Sequence, residues 1–281
     1  MLIFERNSEL KIHLDRIRAE SRQIGFVPTM GALHAGHISL INESKKRGLF
    51  TVCSIFVNPT QFNDKKDLEN YPRTPQADID MLRQSGCDAL FMPTTEEVYP
   101  KEDVRIFNFG ELETVLEGAH RPGHFNGVAK VVSILFDKVH PDVAFFGSKD
   151  YQQVMIVKAL VKQLNLPIQI VPCPIIREPD GLAMSSRNMR LTKEEREAAK
   201  LIPLLLNESK IFFKAQKPIS EIKAFIASKL AQKSIYKLEY FEICNSESLQ
   251  ILTDKKEVKQ GIALIACFVG NIRLIDNLIL D

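Results

Sequence analysis

The sequence predicts an α/β chain: an open, mostly parallel sheet with helices on both faces, followed by a smaller C-terminal α+β domain. Three observations carry this. Short apolar runs alternate with helical spacing from the start to about residue 171, which is the pattern of a doubly wound sheet. Pro172-Cys173-Pro174 then breaks the alternation, and the turn signal Pro179-Asp180-Gly181 follows. Beyond it, two helical stretches precede two strand-like runs. The expected domains are therefore residues 1–175 and 176–281.

Taken in order, candidate strands cover residues 2–4, 24–27, 51–57, 89–92, 143–146 and 168–171. Pro28 and Gly31 are expected to end the second of these. Residues 38–44 have the spacing of an amphipathic helix, so its N-terminus should fall at His34 to His37. Asp78 and Asp80 sit on a predicted helix after Tyr71-Pro72-Arg73-Thr74-Pro75; they read as a solvated face in preference to metal ligands. Val143-Ala144-Phe145-Phe146 leads through Gly147-Ser148-Lys149-Asp150 into a helix over 151–164 and repeats the strand, glycine turn, helix layout. In the second domain, helical patterns cover 192–215 and 219–232, and strands cover 237–243 and 262–269. The charged cluster at 255–259 reads as a solvated turn.

The chain has 281 residues, 45% of them hydrophobic, enough to bury a sizeable core in two domains. With 37 Lys and Arg against 35 Asp and Glu, the formal net charge is +2. No broad field favours nucleic acid or an anionic membrane, so any anion site must be local. Cys53, Cys87, Cys173, Cys244 and Cys267 are odd in number, widely spaced and mostly within apolar runs, which suits buried, reduced thiols better than a disulfide framework. The first residues lack the layout of a signal peptide, and no run of about 18 apolar residues occurs. A cytoplasmic location is expected.

The richest stretch runs from Gly25 to His37, where two imidazoles, His34 and His37, and the glycines Gly31 and Gly36 stand at a strand-to-helix handover. A helix N-terminus there favours anions through its unpaired N–H groups and dipole, and Gly36 permits close approach of a phosphate. Imidazole N–H donors beside it can follow charge developing on phosphoryl oxygens. His-x-x-His also fits a zinc pair, although no third ligand is nearby, and both residues could be ordinary cap histidines. In an open α/β sheet ligands lie beyond the carboxyl ends of the strands, which is where His34, Asn58 and Lys149 are expected. An ammonium at Lys149 can neutralise polyphosphate charge. Met184-Ser185-Ser186-Arg187 offers two hydroxyls and a guanidinium suited to phosphate, or a helix cap with a solvated Arg. Gln61 and Gln153 are neutral amides that both donate and accept.

Pro28-Thr29-Met30-Gly31-Ala32-Leu33-His34-Ala35-Gly36-His37 resembles the signature of the pantothenate synthetase (pantoate–beta-alanine ligase) family, a relative of the nucleotidylyltransferases. The likeness recurs in order at residues 54–62, 71–74, 117–128, 146–153, 184–188 and 273–277. It implies a Rossmann-like domain and ATP-dependent condensation of (R)-pantoate with beta-alanine, giving pantothenate, AMP and pyrophosphate through a pantoyl adenylate. It also implies ATP contacts at Met30, Gly31, Ala32, Leu33, His34, Ala35, Gly36, His37, Gly147, Ser148, Lys149, Asp150, Ile176, Met184, Ser185, Ser186 and Arg187. Among these, His34, His37, Lys149, Ser185, Ser186 and Arg187 are expected to stabilise the reacting phosphates. Gln61 and Gln153 are expected at pantoate, Gln61 also near beta-alanine, with Asn58 supporting that pocket, and residues 63–67 look like a polar lid. Mg²⁺ is expected with ATP; its protein ligands stay open, with either Asp78 or Asp80 able to touch it and Asp78 the candidate singled out. A homodimer is the family's usual state. Two positions depart from the family pattern: Ser148 replaces a longer polar residue, and Lys130 stands where Thr is usual. Rival readings are a nucleotidylyltransferase that stops at an activated product and a non-catalytic nucleotide sensor.

Overall fold

The computed structural model describes residues 1–63, 65–254 and 260–280; the charged 255–259 cluster, and Asp64 within the expected lid, lie outside the described residues. The chain forms two compact units. One comprises Met1–Ser148 with Gln152–Pro174, the other Lys149–Tyr151 with Ile175–Asp281.

Along the chain to Cys173 the elements are β1 (Leu2–Phe4), α1 (Asn7–Ala19), β2 (Ile24–Thr29), α2 (Ala35–Lys46), β3 (Phe50–Ile55), α3 (Lys65–Glu69), α4 (Pro75–Gln84), β4 (Ala89–Phe91), α5 (Thr95–Val98), α6 (Glu117–His120), α7 (His124–Val139), β5 (Val143–Gly147), α8 (Tyr151–Gln163) and β6 (Gln169–Cys173). The six strands pair in parallel in the order β1-β4-β3-β2-β5-β6. From β2 the chain winds outward through β3 to β4, then returns to lay β5 on the other flank of β2. The winding therefore reverses between β2 and β5, the place where open sheets bind ligands.

Side-chain alternation along the strands builds a core on each face. Phe26, Val52, Phe91, Ala144 and Phe146 pack with Leu10 and Leu14 of α1, Val132 and Phe136 of α7, and Ile156 and Leu160 of α8. Their neighbours Val27, Cys53, Leu90, Val143 and Phe145 face the other way, onto Leu40 and Ile41 of α2 and Leu82 of α4. Neither Pro28 nor Pro172 ends its strand as expected. β2 pairs at Pro28 only with Ser54 of β3, its pairing to β5 stopping at Phe26, and β6 is an edge strand. A missing N–H is tolerated at such positions.

The second unit contains α9 (Lys193–Ala199), α10 (Leu201–Lys214), α11 (Ile219–Leu230), β7 (Tyr236–Asn245), β8 (Gly261–Val269) and β9 (Ile272–Ile279). The expected single helix over 192–215 divides at Lys200, with Pro203 in the first turn of α10, where its absent donor has no intrahelical partner to lose. β7, β8 and β9 form an antiparallel sheet. β9 went unpredicted, although Val269 faces Ile272 across the two-residue Gly270-Asn271 turn, a legible hairpin signal. Leu205, Leu206 and Phe213 of α10 and Ile222 and Ile226 of α11 bury Ile243 and Ile265 of the sheet.

All five cysteines are free and buried. Burial pushes the thiols of Cys87, Cys244 and Cys267 up to about 12 and that of Cys173 to about 11. No described helix is long and apolar enough to cross a membrane.

Candidate active site

At the carboxyl end of β2 the chain turns sharply through Gly31 (φ 80°) and Ala32 (φ 49°) before α2 starts. His34 is the N-cap, and the capping is reciprocal. His34 Nδ1 accepts from the N–H of Gly36 at 3.1 Å, while the His34 N–H donates to Nδ1 of His37 at 3.3 Å. The rings lie 4.0 Å apart, tilted by 40°. Because both Nδ1 atoms accept, this bonding pattern assigns the proton of each neutral ring to Nε2. Several backbone donors expected to meet a phosphate are thus already engaged: Gly36 by His34, and Ala32 and Leu33 by the carboxylate of Asp78 at 2.9 and 2.8 Å. The imidazoles of His34 and His37 stand directly beside these engaged amides.

Asp78 corrects one expectation outright. It is 2% exposed and belongs to no solvated face; Asp80, two residues on, is exposed. The helical period places the two on different sides of α4.

After β3, Asn58 caps the short 3-10 turn Pro59–Gln61. Its side chain is buried and fully engaged. Nδ2 donates to Gln61 Oε1 at 3.1 Å and to the Gly127 carbonyl at 3.2 Å, and Oδ1 accepts from Thr60 Oγ1 and Tyr99 OH at 3.0 and 2.9 Å. Gln61 Nε2 lies 3.1 Å from Met30 Sδ, which ties the expected pantoate turn to the expected phosphate loop. The segment 117–128, whose role the sequence left open, clamps this turn from behind. Nδ1 of His124 is 2.8 Å from the Gln61 carbonyl. At Gly127 the first turn of α7 passes so close that a Cβ would stand 2.5 Å from the Thr60 carbonyl. Asn63 of the expected lid donates to the Pro122 carbonyl at 2.7 Å, and residues 65–69 are helical.

The adjacent glutamines of α8 divide their labour. Gln152 is buried; its Oε1 accepts from the Glu117 N–H at 3.0 Å, and Nε2 donates to the carbonyls of Leu112 and Val115 at 2.7 and 2.9 Å. Gln153 is half-buried.

Lys149 groups with the second unit, where the side chain of Asn277 donates to its carbonyl at 2.9 Å and its Nζ lies 3.9 Å from Asp150. Tyr151 OH donates to the Ser246 carbonyl at 2.7 Å. Ile176 and Met184 are joined by a backbone bond of 3.0 Å. Ser185 accepts from the N–H of Arg187 at 3.3 Å and so caps the 3-10 turn Ser186–Arg190; Ser186 is buried and Arg187 half-buried. Asn188 ties this turn to Glu178 at 2.7 Å and to the Ala183 carbonyl at 3.0 Å. Arg177 grips the buried Asp276 through two bonds of 2.7 and 3.0 Å. Burial raises the Asp276 carboxyl and the Arg177 guanidinium pulls it back, with a net rise. Sequence reasoning missed Arg177 and Tyr99 because an engaged phenol or guanidinium has no periodic signature; Gln152, Asp276 and Asn277 were visible only as parts of recurring blocks.

Among the described residues no group of three His, Cys, Asp or Glu side chains could hold a metal. The oxygens of Asp78 already accept three protein donors. The described residues therefore do not form a protein cage for Mg²⁺. The departures from pattern lie elsewhere: Lys130 donates to the Asp103 carbonyl at 2.5 Å, and Ser148 opens the 3-10 turn Ser148–Asp150.

Residues 2–279 match the protein family described as Pantoate-beta-alanine ligase. The chain is 49% identical over 278 residues to the pantothenate synthetase of Porphyromonas gingivalis, covering 99% of each protein. It is 46% identical over 278 residues to that of Bacteroides thetaiotaomicron, covering 99% of this chain and 98% of the relative. Among solved structures, pantothenate synthetase from Thermus thermophilus matches with a TM-score of 0.92 and 38% identity, covering 99% of each chain. The pantoate-beta-alanine ligase of Francisella tularensis, complexed with beta-gamma ATP and beta-alanine, matches with a TM-score of 0.83 and 37% identity, covering 100% of this chain and 98% of that one.

Proposed function

Because the chain belongs to the pantoate-beta-alanine ligase family, and is therefore an ATP-dependent carbon–nitrogen ligase, we propose that it condenses (R)-pantoate with beta-alanine in two displacements. A carboxylate oxygen of pantoate attacks the α-phosphorus of ATP; the bond to the bridging oxygen breaks and pyrophosphate leaves. The amine of beta-alanine then attacks the acyl carbon of the pantoyl adenylate. AMP departs with the electrons of the acyl–oxygen bond, the amine loses a proton, and pantothenate remains.

Each residue has a part in this reading. The Nε2–H groups of His34 and His37 donate to phosphoryl oxygens as charge grows on them, the setting in which preorganised donors act most strongly. Lys149, Ser185, Ser186 and Arg187 take the triphosphate and the leaving pyrophosphate. Met30, Gly31, Ala32, Leu33, Ala35, Gly36, Gly147, Ser148, Asp150, Ile176 and Met184 line the nucleotide. Gln61 and Gln153 hold pantoate, with Asn58 fixing the Gln61 amide. No protein nucleophile is needed, so positioning supplies much of the rate. Mg²⁺ is proposed only as the counter-ion that ATP carries.

The observation that supports the reading is the join between Met30 and Gln61: the loop with the paired imidazoles and the turn that carries the Gln61 amide meet at one edge of the sheet. The ATP and beta-alanine of the Francisella tularensis complex agree with it. Omitting reactants one at a time tests it. ATP with pantoate should release pyrophosphate, and AMP should accumulate with turnover only when beta-alanine is added. ADP as product would refute the mechanism, and an activated product indifferent to beta-alanine would favour a nucleotidylyltransferase. The proposal extends to a homodimer, read as twice the chain mass by light scattering, working in the cytoplasm, where buried reduced thiols persist.

A further inference from the structure

Asp78 stands far from the histidines in sequence, 45 residues beyond Leu33, yet it shapes the turn that precedes them. Its buried carboxylate, on the first turn of α4, accepts from Ala32 N through Oδ2 at 2.9 Å and from Leu33 N through Oδ1 at 2.8 Å. The hydroxyl of Thr74 donates to Oδ1 at 3.0 Å. The two amides converge on one carboxylate because Gly31 and Ala32 both have left-handed backbone, φ 80° and 49°. For alanine that conformation is disfavoured and persists only where surrounding contacts over-determine it. Backbone donors to a carboxylate give bonds stronger than those to a neutral acceptor, and this carboxylate belongs to a side chain that is 2% exposed. Gly31 is pinched in the same place: a Cβ would stand 3.0 Å from Ile55 Cγ2 and 3.1 Å from Asp78 Oδ2. The residue after Leu33 is His34, the helix cap.

We infer that Asp78 is the positioning residue for His34 and His37: by holding the Ala32 and Leu33 amides it fixes where α2 begins and so where both imidazoles stand. The inference rests on the reading that those imidazoles act on phosphate. It also gives a reason why these two amides do not serve the nucleotide directly, since the carboxylate has taken them.

The test compares Asp78→Asn and Asp78→Ala with the unaltered protein by three measurements: the ¹⁵N resonances of the His34 and His37 rings, thermal unfolding, and the rate of pantoate-dependent pyrophosphate release. Asp78→Asn keeps the shape but only one acceptor oxygen. It should fold and lose about 10-fold in kcat, and Asp78→Ala about 100-fold, the scale of a misplacement of about 1 Å. KM for pantoate should not move. The ring resonances should leave the Nε2–H pattern for a tautomer mixture. Should either variant fail to fold, Thr74→Val removes one donor to the carboxylate from an exposed position and should give the same changes in smaller measure. A lower melting temperature with normal kcat and unaltered ring resonances overturns the inference. So does a raised Mg²⁺ requirement with unaltered ring resonances, which would make Asp78 a metal ligand. The two readings fail separately: full activity of His37→Ala removes the phosphate role, whereas unaltered rings in Asp78→Asn beside an inactive His37→Ala remove only the positioning.

Discussion

His34 and His37 hold each other in place: the first accepts from the N–H of Gly36 at 3.1 Å, and its own N–H donates to Nδ1 of the second at 3.3 Å. Each imidazole thereby caps the helix with one nitrogen and keeps its proton on the other.

Replacing His37 with Ala should slow adenylate formation by about 10²- to 10³-fold, the usual loss for one transition-state donor. Loss of the reciprocal cap should cost about 0.5–2 kcal/mol of stability, too little to unfold the protein. Single-turnover pyrophosphate release and a thermal melt check both. A folded variant of normal rate would contradict the role given to this ring.

The adjacent glutamines should separate cleanly. Gln153→Ala should weaken pantoate binding by about 5- to 150-fold, the equivalent of about 1–3 kcal/mol for a buried group left unsatisfied, with ATP binding nearly unchanged. Gln152→Ala should instead destabilise the fold by an amount of the same order, about 1–3 kcal/mol, because the carbonyls of Leu112 and Val115 and the N–H of Glu117 lose their partner. Calorimetric titration and denaturant melts of both variants distinguish them. If Gln153→Ala loses ATP and keeps pantoate, the pantoate assignment falls.

Acid should loosen the second unit through Glu178 and Asp180. Burial works against their ionisation, but Arg196, bonded to Glu178 at 2.6 Å and to Asp180 at 2.7 Å, outweighs it together with Asn188 and the Leu182 N–H, and both carboxyls end below their ordinary values. A carboxyl lowered by folding contributes stability above its unfolded pKa, and that contribution drains away as pH falls from about 4 through the folded value. Asp276 has the opposite sign. Its raised carboxyl makes stability decline as pH climbs from about 4 to its folded value. Melts between about pH 3 and 7 should show a shallower acid loss in Glu178→Gln/Asp180→Asn than in the parent; identical slopes would contradict the assignment.

The sheet was legible because its central strands β2, β3, β4 and β5 are buried on both faces and read as apolar runs, and the start of α2 because His34 and Gly36 mark a cap. Errors arose where tertiary context overrides a local rule. Pro28 and Pro172 are breakers in isolation, but unpaired flanks admit them. Asp78 reads as solvated until α4 turns it toward the loop. The strand-to-helix handover fell where the motif put it, but the expectation of open N–H groups there failed at Ala32, Leu33 and Gly36, whose partners come from Asp78 and His34. Nothing in spacing alone shows that a carboxylate 46 residues from Ala32 will occupy an amide.

The most direct measurement of the central claim follows oxygen. Pantoate carrying ¹⁸O in both carboxylate positions is turned over with ATP and beta-alanine, and the products are weighed by mass spectrometry. Attack on the α-phosphorus predicts one ¹⁸O in AMP, one retained in the amide of pantothenate, and none in pyrophosphate. Label in inorganic phosphate beside unlabelled ADP would mean an acyl phosphate, and the adenylate mechanism would be wrong.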